Sequence, residues 1–227
     1  MVAFHLNFNY PEMKVISKPQ DQEVYLGSEI TLSFEVDKYK TYTFQHCKNC
    51  EPFVIGDIMG LEEGGAVTTE DIINILKGHV KDNYKFQPDA PLGTRHCDYN
   101  PSLRDQIHCL VNVVSANQIS LMQDDVIQKM RHIREAASDM GIPQVVIMTM
   151  VDEACPIVHN NLNKIYRSAK IKEKMEVCHT RLGVPMSFIF PVKNYHAETS
   201  LNPEVDYILL HALKHIIRLA NDYADNQ

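Results

Sequence analysis

An α/β fold, three layers deep with helices on both faces of a mostly parallel sheet, is what residues 51–227 predict. Three observations lead there. The strands read as short, nearly continuous apolar blocks, such as 107–114 and 144–149, which is the pattern of strands buried on both faces. Segments with helical spacing separate those blocks. Cap and stop residues mark the boundaries, as at Thr68 and Gly141. Helical repeats and β-sandwiches do not produce this order.

The first 50 residues differ. Residues 24–36 and 39–44 carry β-branched and aromatic side chains without a helical period, and Gly27-Ser28 marks a turn. Residues 17–32 resemble the opening strands of an immunoglobulin-like domain. The resemblance stops there, because the chain has no Trp and such a sandwich takes about 100 residues. Residues 1–50 therefore read as a short β-rich extension, whose strands either add to an edge of the main sheet or form a poorly packed appendage, and residues 51–227 as the α/β domain.

Within that domain the run Phe53-Val54-Ile55-Gly56-Asp57 is the first buried strand. Thr68 caps a short helix through Ile72, Ile73, Ile75 and Leu76, with Glu70 and Asp71 in its first turn. Residues 80–106 hold four prolines or glycines and little periodicity, so they read as an irregular connection. After the strand at 107–114, Val126, Met130, Ile133 and Ala137 set the inner face of a helix over 120–140, which Gly141 stops. A strand over 144–149 precedes a basic amphipathic helix over 160–182, with a break near Ser168. A last strand at 186–190 leads to a closing helix over 204–223, with Ile208, Leu209, Leu213, Ile216 and Ile217 on one face.

Composition narrows the class. The 227 residues are 44% hydrophobic and 22% charged, the balance of an ordinary globular chain. A net charge of −7 gives no general attraction to nucleic acid or to an anionic membrane. No apolar stretch approaches the roughly 18 uninterrupted residues of a spanning helix. Residues 1–10 lack the basic and apolar regions of a signal peptide. Six cysteines spread over a full-size domain fit reduced thiols. The expected place is the cytoplasm, with no nucleic-acid partner and no membrane span.

Four motifs bear on chemistry. Asp57-Ile58-Met59-Gly60 ends a buried strand in Asp-x-x-Gly, where nucleotide hydrolases place an Asp on Mg²⁺ and a Gly N–H on the γ-phosphate. The alternative is a turn, with Gly60 supplying positive φ. Thr149-Met150-Val151-Asp152 ends a second strand where guanine-nucleotide proteins carry Asn/Thr-Lys-x-Asp. Its Asp would accept paired hydrogen bonds from the base, a strongly discriminating contact. Met150 stands where the Lys would be, and Asp152 can instead serve as a helix N-cap. Asn194 lies in the loop after the last strand, a default ligand-facing position of parallel sheets. Cys47 and Cys50 form Cys-x-x-Cys, which needs two further ligands to hold zinc and otherwise sits in a hairpin turn. No Gly-x-x-x-x-Gly-Lys-Ser/Thr phosphate loop is present, nor any Gly-x-Ser-x-Gly or His-Glu-x-x-His. The basic face Lys164, Arg167, Lys170, Lys172 and Lys174 reads as a solvated helix surface.

Several blocks together resemble one family. They are Pro52-Phe53-Val54 into Asp57-Ile58-Met59-Gly60-Leu61, Asp71-Ile72 through Lys77-Gly78, Pro101-Ser102-Leu103-Arg104-Asp105-Gln106-Ile107-His108-Cys109, Thr149-Met150-Val151-Asp152, Asn194-Tyr195, and Leu201-Asn202-Pro203 leading into 208–213. Residues 52–227 resemble the C-terminal part of the guanine-nucleotide-binding-like domain of the interferon-induced protein 44 and 44-like family. The resemblance implies a P-loop-GTPase-like fold, a cytoplasmic location, and an interferon-induced role in antiviral and immune responses. Longer members carry a strand, a phosphate loop and a helix before the matched region, and here the immunoglobulin-like strands stand in that place. The sheet is thus expected to be incomplete at its N-terminal part, with an open interior edge inviting self-association.

The function these readings predict is an immune-response protein with a degenerate GTPase-like domain, acting through protein partners and not through catalysis. GTP with Mg²⁺ is the alternative cofactor set. A remnant site would then use Asp57 on the metal, Gly60 on the phosphate, and Thr149, Asp152 and Asn194 around the base.

Overall fold

The computed structural model describes residues 2–6, 14–16, 23–25, 38–44, 53–58, 61, 67–86, 100–196 and 198–227. Among them eight strands form one sheet: β1 (Val2–Leu6), β2 (Lys14–Ile16), β3 (Glu23–Tyr25), β4 (Lys40–Phe44), β5 (Phe53–Asp57), β6 (Cys109–Ser115), β7 (Gln144–Thr149) and β8 (Ile189–Pro191). The order across the sheet is β3-β2-β4-β5-β1-β6-β7-β8. The helices are α1 (Thr69–Leu76), α2 (Asp124–Asp139), α3 (Val151–Ala154), α4 (Pro156–Asn160), α5 (Ala169–Leu182) and α6 (Pro203–Asp225).

The expected parallel sheet is present over β6, β7 and β8, whose pairings are both parallel. The remaining pairings are antiparallel. The mostly parallel expectation is therefore corrected to a sheet that changes character at β1. A further correction concerns the open interior edge. β1 pairs with β5 from Val2↔Asp57 to Leu6↔Phe53, and with β6 from Val2↔Val111 to Phe4↔Cys109. The interior is closed on both sides, and no open edge remains there for a second chain. Strand pairing tolerates either direction, because every residue carries one N–H and one C=O and either ladder pattern satisfies them. β2 and β3 do lie at one edge, as the sequence suggests, whereas β1 is central.

The layers follow from strand alternation. On one face, Leu110, Val114, Val146 and Met148 meet α1, α2 and α5 through Ile72, Ile75, Ile127, Ile133, Ile171 and Met175. On the other, Cys109, Val111, Val145 and Phe190 meet Ala212, Ile216, Ile217 and Ala220 of α6, while Phe44 stacks on Phe53 with centroids 4.8 Å apart. Small Ala residues let α6 lie close to the sheet, and its Ile208, Leu209 and Leu213 flank the contact half-buried. Among the described residues no helix is long and apolar enough to cross a membrane.

Local chemistry sets the helix boundaries. Thr68 and Asp71 form a reciprocal capping box on α1, at 3.1 and 2.9 Å. The break read at Ser168 is real. Residues 162–167 form a 3₁₀ turn, and Ser168 Oγ accepts the Ile171 N–H to open α5. After α2, Gly141 adopts φ +71° and lets the Ile142 N–H return to the Ala137 carbonyl at 2.9 Å. The predicted helix over 120–140 begins later, at Asp124, since residues 116–121 turn through Ser115 and Gln118 carbonyls.

Candidate functional site

The predicted site residues are brought to one end of the sheet. β5, β6 and β7 all run the same way, because β5 and β6 are each antiparallel to β1. Their carboxyl ends carry Asp57, Ser115 and Thr149. The ends are not level. Asp57 sits opposite Val2, and Val2 opposite Val111, while the β6–β7 pairing continues to Ser115↔Thr149. That stagger of about four residues is roughly 13 Å along the strands. With three strand spacings across, Asp57 and Thr149 lie on the order of 20 Å apart.

Asp57 is half-buried beside its register partner Lys40 of β4. Burial raises its carboxyl above the usual range, partly offset by the Ile58 N–H and the Lys40 ammonium. Behind it, Gly56 is overlaid by Tyr39. A Cβ at Gly56 would lie 2.7 Å from the Tyr39 Oη and 2.9 Å from its Cε2. The glycine in this motif strand thus makes room for a buried tyrosine, a reason the sequence alone does not reveal. Gly60, together with Cys47 and Cys50, lies outside the described residues.

Thr149 is buried, and its hydroxyl donates to the Val114 carbonyl at 3.4 Å. Its own carbonyl accepts the Ala116 N–H at 2.9 Å, so it ties the ends of β6 and β7 together. Met150 follows in the left-handed region, φ 59° and ψ 34°, an uncommon conformation for a side chain with a Cβ. Its carbonyl accepts the Ala154 N–H at 3.1 Å and starts α3. The alternative role of Asp152 as an N-cap is corrected here. Met150 is the N-cap residue, no side chain caps α3, and Asp152 stands half-exposed in the first turn.

Asn194 is exposed in the loop after β8, and that loop is tied down by its neighbours. Lys193 pairs with Glu198, whose other oxygen accepts the His196 N–H at 2.9 Å. The His196 N–H first, and the Lys193 ammonium with it, pull the Glu198 carboxyl down to about 2. Tyr195 donates to Asp206 Oδ1 at 2.7 Å and accepts the Asn202 N–H at 2.7 Å, linking the loop to the start of α6. Sequence reading missed Glu198 and Asp206, because no local pattern pairs residues across a loop of this length.

The arrangement offers one half-buried carboxylate, a buried threonine and an exposed amide along one sheet edge. It does not bring the carboxyl end of β1 there. β1 runs opposite to β5 and β6, so the chain leaves β1 from Leu6, opposite Phe53, at the far edge. Among the described residues no group of three or more His, Cys, Asp or Glu side chains could hold a metal ion. The described cysteines, Cys109, Cys155 and Cys178, are buried free thiols.

Fold and site define an α/β protein whose candidate residues line the carboxyl edge of a sheet between helical layers. Over most of its length the chain is similar to curated proteins of one kind. It is 34% identical to mouse interferon-induced protein 44 over 194 residues, 84% of this chain and 46% of that protein. It is 32% identical to human interferon-induced protein 44-like over 207 residues, 88% of this chain and 45% of that protein. With human interferon-induced protein 44 the identity is 33% over 195 residues, 84% of this chain and 44% of the relative. The chain spans less than half the length of these relatives. No protein-family model matches the chain, and no solved structure matches it. The chain belongs to the interferon-induced protein 44 and 44-like family.

Proposed function

We propose that this is an interferon-induced immune-response protein, cytoplasmic and antiviral in role, whose GTPase-like domain acts through protein contacts and not through nucleotide hydrolysis. The observation that carries this reading is the direction of β1. Triphosphate affinity in GTPase-type sites comes mostly from a backbone cradle between a central strand and the following helix. Here the central strand runs the wrong way to present such a loop beside Asp57. Two further features support it: Met150 in place of a lysine, and a Thr149 hydroxyl engaged by the Val114 carbonyl. Titration of a fluorescent GTP analogue with Mg²⁺ into the purified chain tests the reading. No saturable binding is expected, and Mg²⁺-dependent micromolar binding would sink it.

A weak guanine-nucleotide site is the second reading, favoured by one observation. Asp57, Thr149 and Asp152 share the carboxyl edge, at a separation suited to an extended nucleoside triphosphate. In that case Asp57 meets Mg²⁺, and Thr149, Asp152 and Asn194 surround the base. Asp152→Ala would then abolish a preference for GTP over ATP. Equal and poor binding of GTP by wild type and variant removes this reading.

A further inference from the structure

Two histidines on α6 stand apart from the candidate site. His211 and His215 are one helical turn apart, so their side chains share a face. Their ring centroids are 4.7 Å apart and their planes 64° apart. Two imidazoles bound to one metal at about 2.0–2.1 Å put their ring centres about 5 Å apart when they meet it near a right angle. The observed separation therefore needs little rearrangement.

Three other histidines have committed ring nitrogens. His108 Nε2 bonds the Leu103 carbonyl at 2.8 Å, His179 Nδ1 the Val184 carbonyl at 2.8 Å, and His79 Nδ1 meets Asn74 Oδ1 at 3.4 Å. No such bond engages His211 or His215 among the described residues. Both are half-buried, and aromatic rings restrain them. Phe190 lies 5.2 Å from His215 and 6.1 Å from His211, and Tyr207 stacks on His211 at 6.1 Å. Two restrained, unengaged imidazoles at i and i+4 share the sequence spacing that zinc-binding helices use.

We propose that His211 and His215 form a binding site for a divalent transition metal of the imidazole-seeking class, Zn²⁺, Ni²⁺ or Cu²⁺, with water completing its coordination. Imidazole ligands select these ions over Mg²⁺ and Ca²⁺, which take oxygen.

Calorimetric titration of Zn²⁺ and of Ni²⁺ into the purified full chain tests the site. One saturable site is expected, weakened about tenfold or more in His211→Ala and equally in His215→Ala, because either change destroys the chelate. Binding retained in either variant, or none in the wild type, overturns the proposal. A second measurement needs no variant. Cu²⁺ should broaden the imidazole proton signals of His211 and His215 first, and broadening that begins at other histidines overturns the assignment.

Discussion

Arg131 on α2 and Arg181 on α5 each hold the other's surroundings in place. Arg131 Nε donates to the Arg181 carbonyl at 2.6 Å and its Nη2 to the Thr180 carbonyl at 2.8 Å, capping the end of α5. Arg181 reaches back to the Ile119 and Met122 carbonyls, at 2.9 and 2.7 Å, and to Asp124 Oδ1 at 2.7 Å. The pair fixes the turn that leaves the carboxyl end of β6, and so the edge on which Thr149 lies.

The two arginines are not equal. Arg181 is mostly buried, whereas Asp124 is 90% exposed, so the carbonyl bonds and not the ion pair carry its contribution. Arg181→Ala is expected to cost about 2 kcal/mol, and Asp124→Ala under about 0.5 kcal/mol, by urea denaturation. Arg181→Lys should not rescue, since one ammonium cannot reach acceptors spread as a guanidinium fork reaches them. Arg131→Ala, an exposed helix-end cap, should cost about 0.5–1 kcal/mol and be non-additive with Arg181→Ala.

Gly56→Ala puts a methyl 2.7 Å from the Tyr39 hydroxyl oxygen. Tyr39 is buried in the cluster with Ile72, Leu76 and Phe86, so its ring has little room to move. The substitution should cost about 1–3 kcal/mol, and Tyr39→Phe in the same chain should recover part of it. An unchanged thermal midpoint in Gly56→Ala would mean that Tyr39 moves freely.

Burial holds His108 below its ordinary pKa of 6.5, with its bond to the Leu103 carbonyl opposing. A depressed folded value means that the unfolded chain takes up the proton first as pH falls. The stability His108 contributes is therefore present above 6.5 and lost as pH drops through the folded value. The urea midpoint should decline from pH 7 towards pH 5.5, and His108→Gln should flatten that decline. His215 is shifted the same way, so some slope persists in the variant.

Asp57 has the opposite sign. Its folded pKa is raised by burial, so its ionised form opposes folding at neutral pH and the protonated form favours it. Asp57→Asn should raise the thermal midpoint at pH 7, and the gain should vanish below the unfolded value near pH 4. A variant less stable than wild type at pH 7 would show that Asp57 makes a favourable contact in its charged form. Added Mg²⁺ separates the two functional readings: stabilisation of wild type alone supports the nucleotide site.

Much of the element pattern was legible because its causes are local. The Thr68 cap, the Gly141 stop and the Ser168 break each rest on one residue bonding a few positions away. The apolar face of α6 follows from its spacing. The turn at 116–123 was not legible, because the Arg181 bonds that hold it come from about sixty residues away. Of the candidate site, Asp57, Thr149, Asp152 and Asn194 fall at the carboxyl edge as the motif positions suggest. The engaged hydroxyl of Thr149 and the left-handed turn at Met150 have no mark in the sequence.

By itself the sequence determined the family, the α/β class and the alternation of strands with helices, since periodicity and matched blocks are properties of neighbouring residues. Only the tertiary structure decided that the N-terminal strand enters the middle of the sheet and runs against its neighbours. Backbone hydrogen bonds satisfy a strand equally in either direction, so direction is set by where the connecting chain can reach. That single reversal closes the sheet and carries the chain leaving β1 away from Asp57.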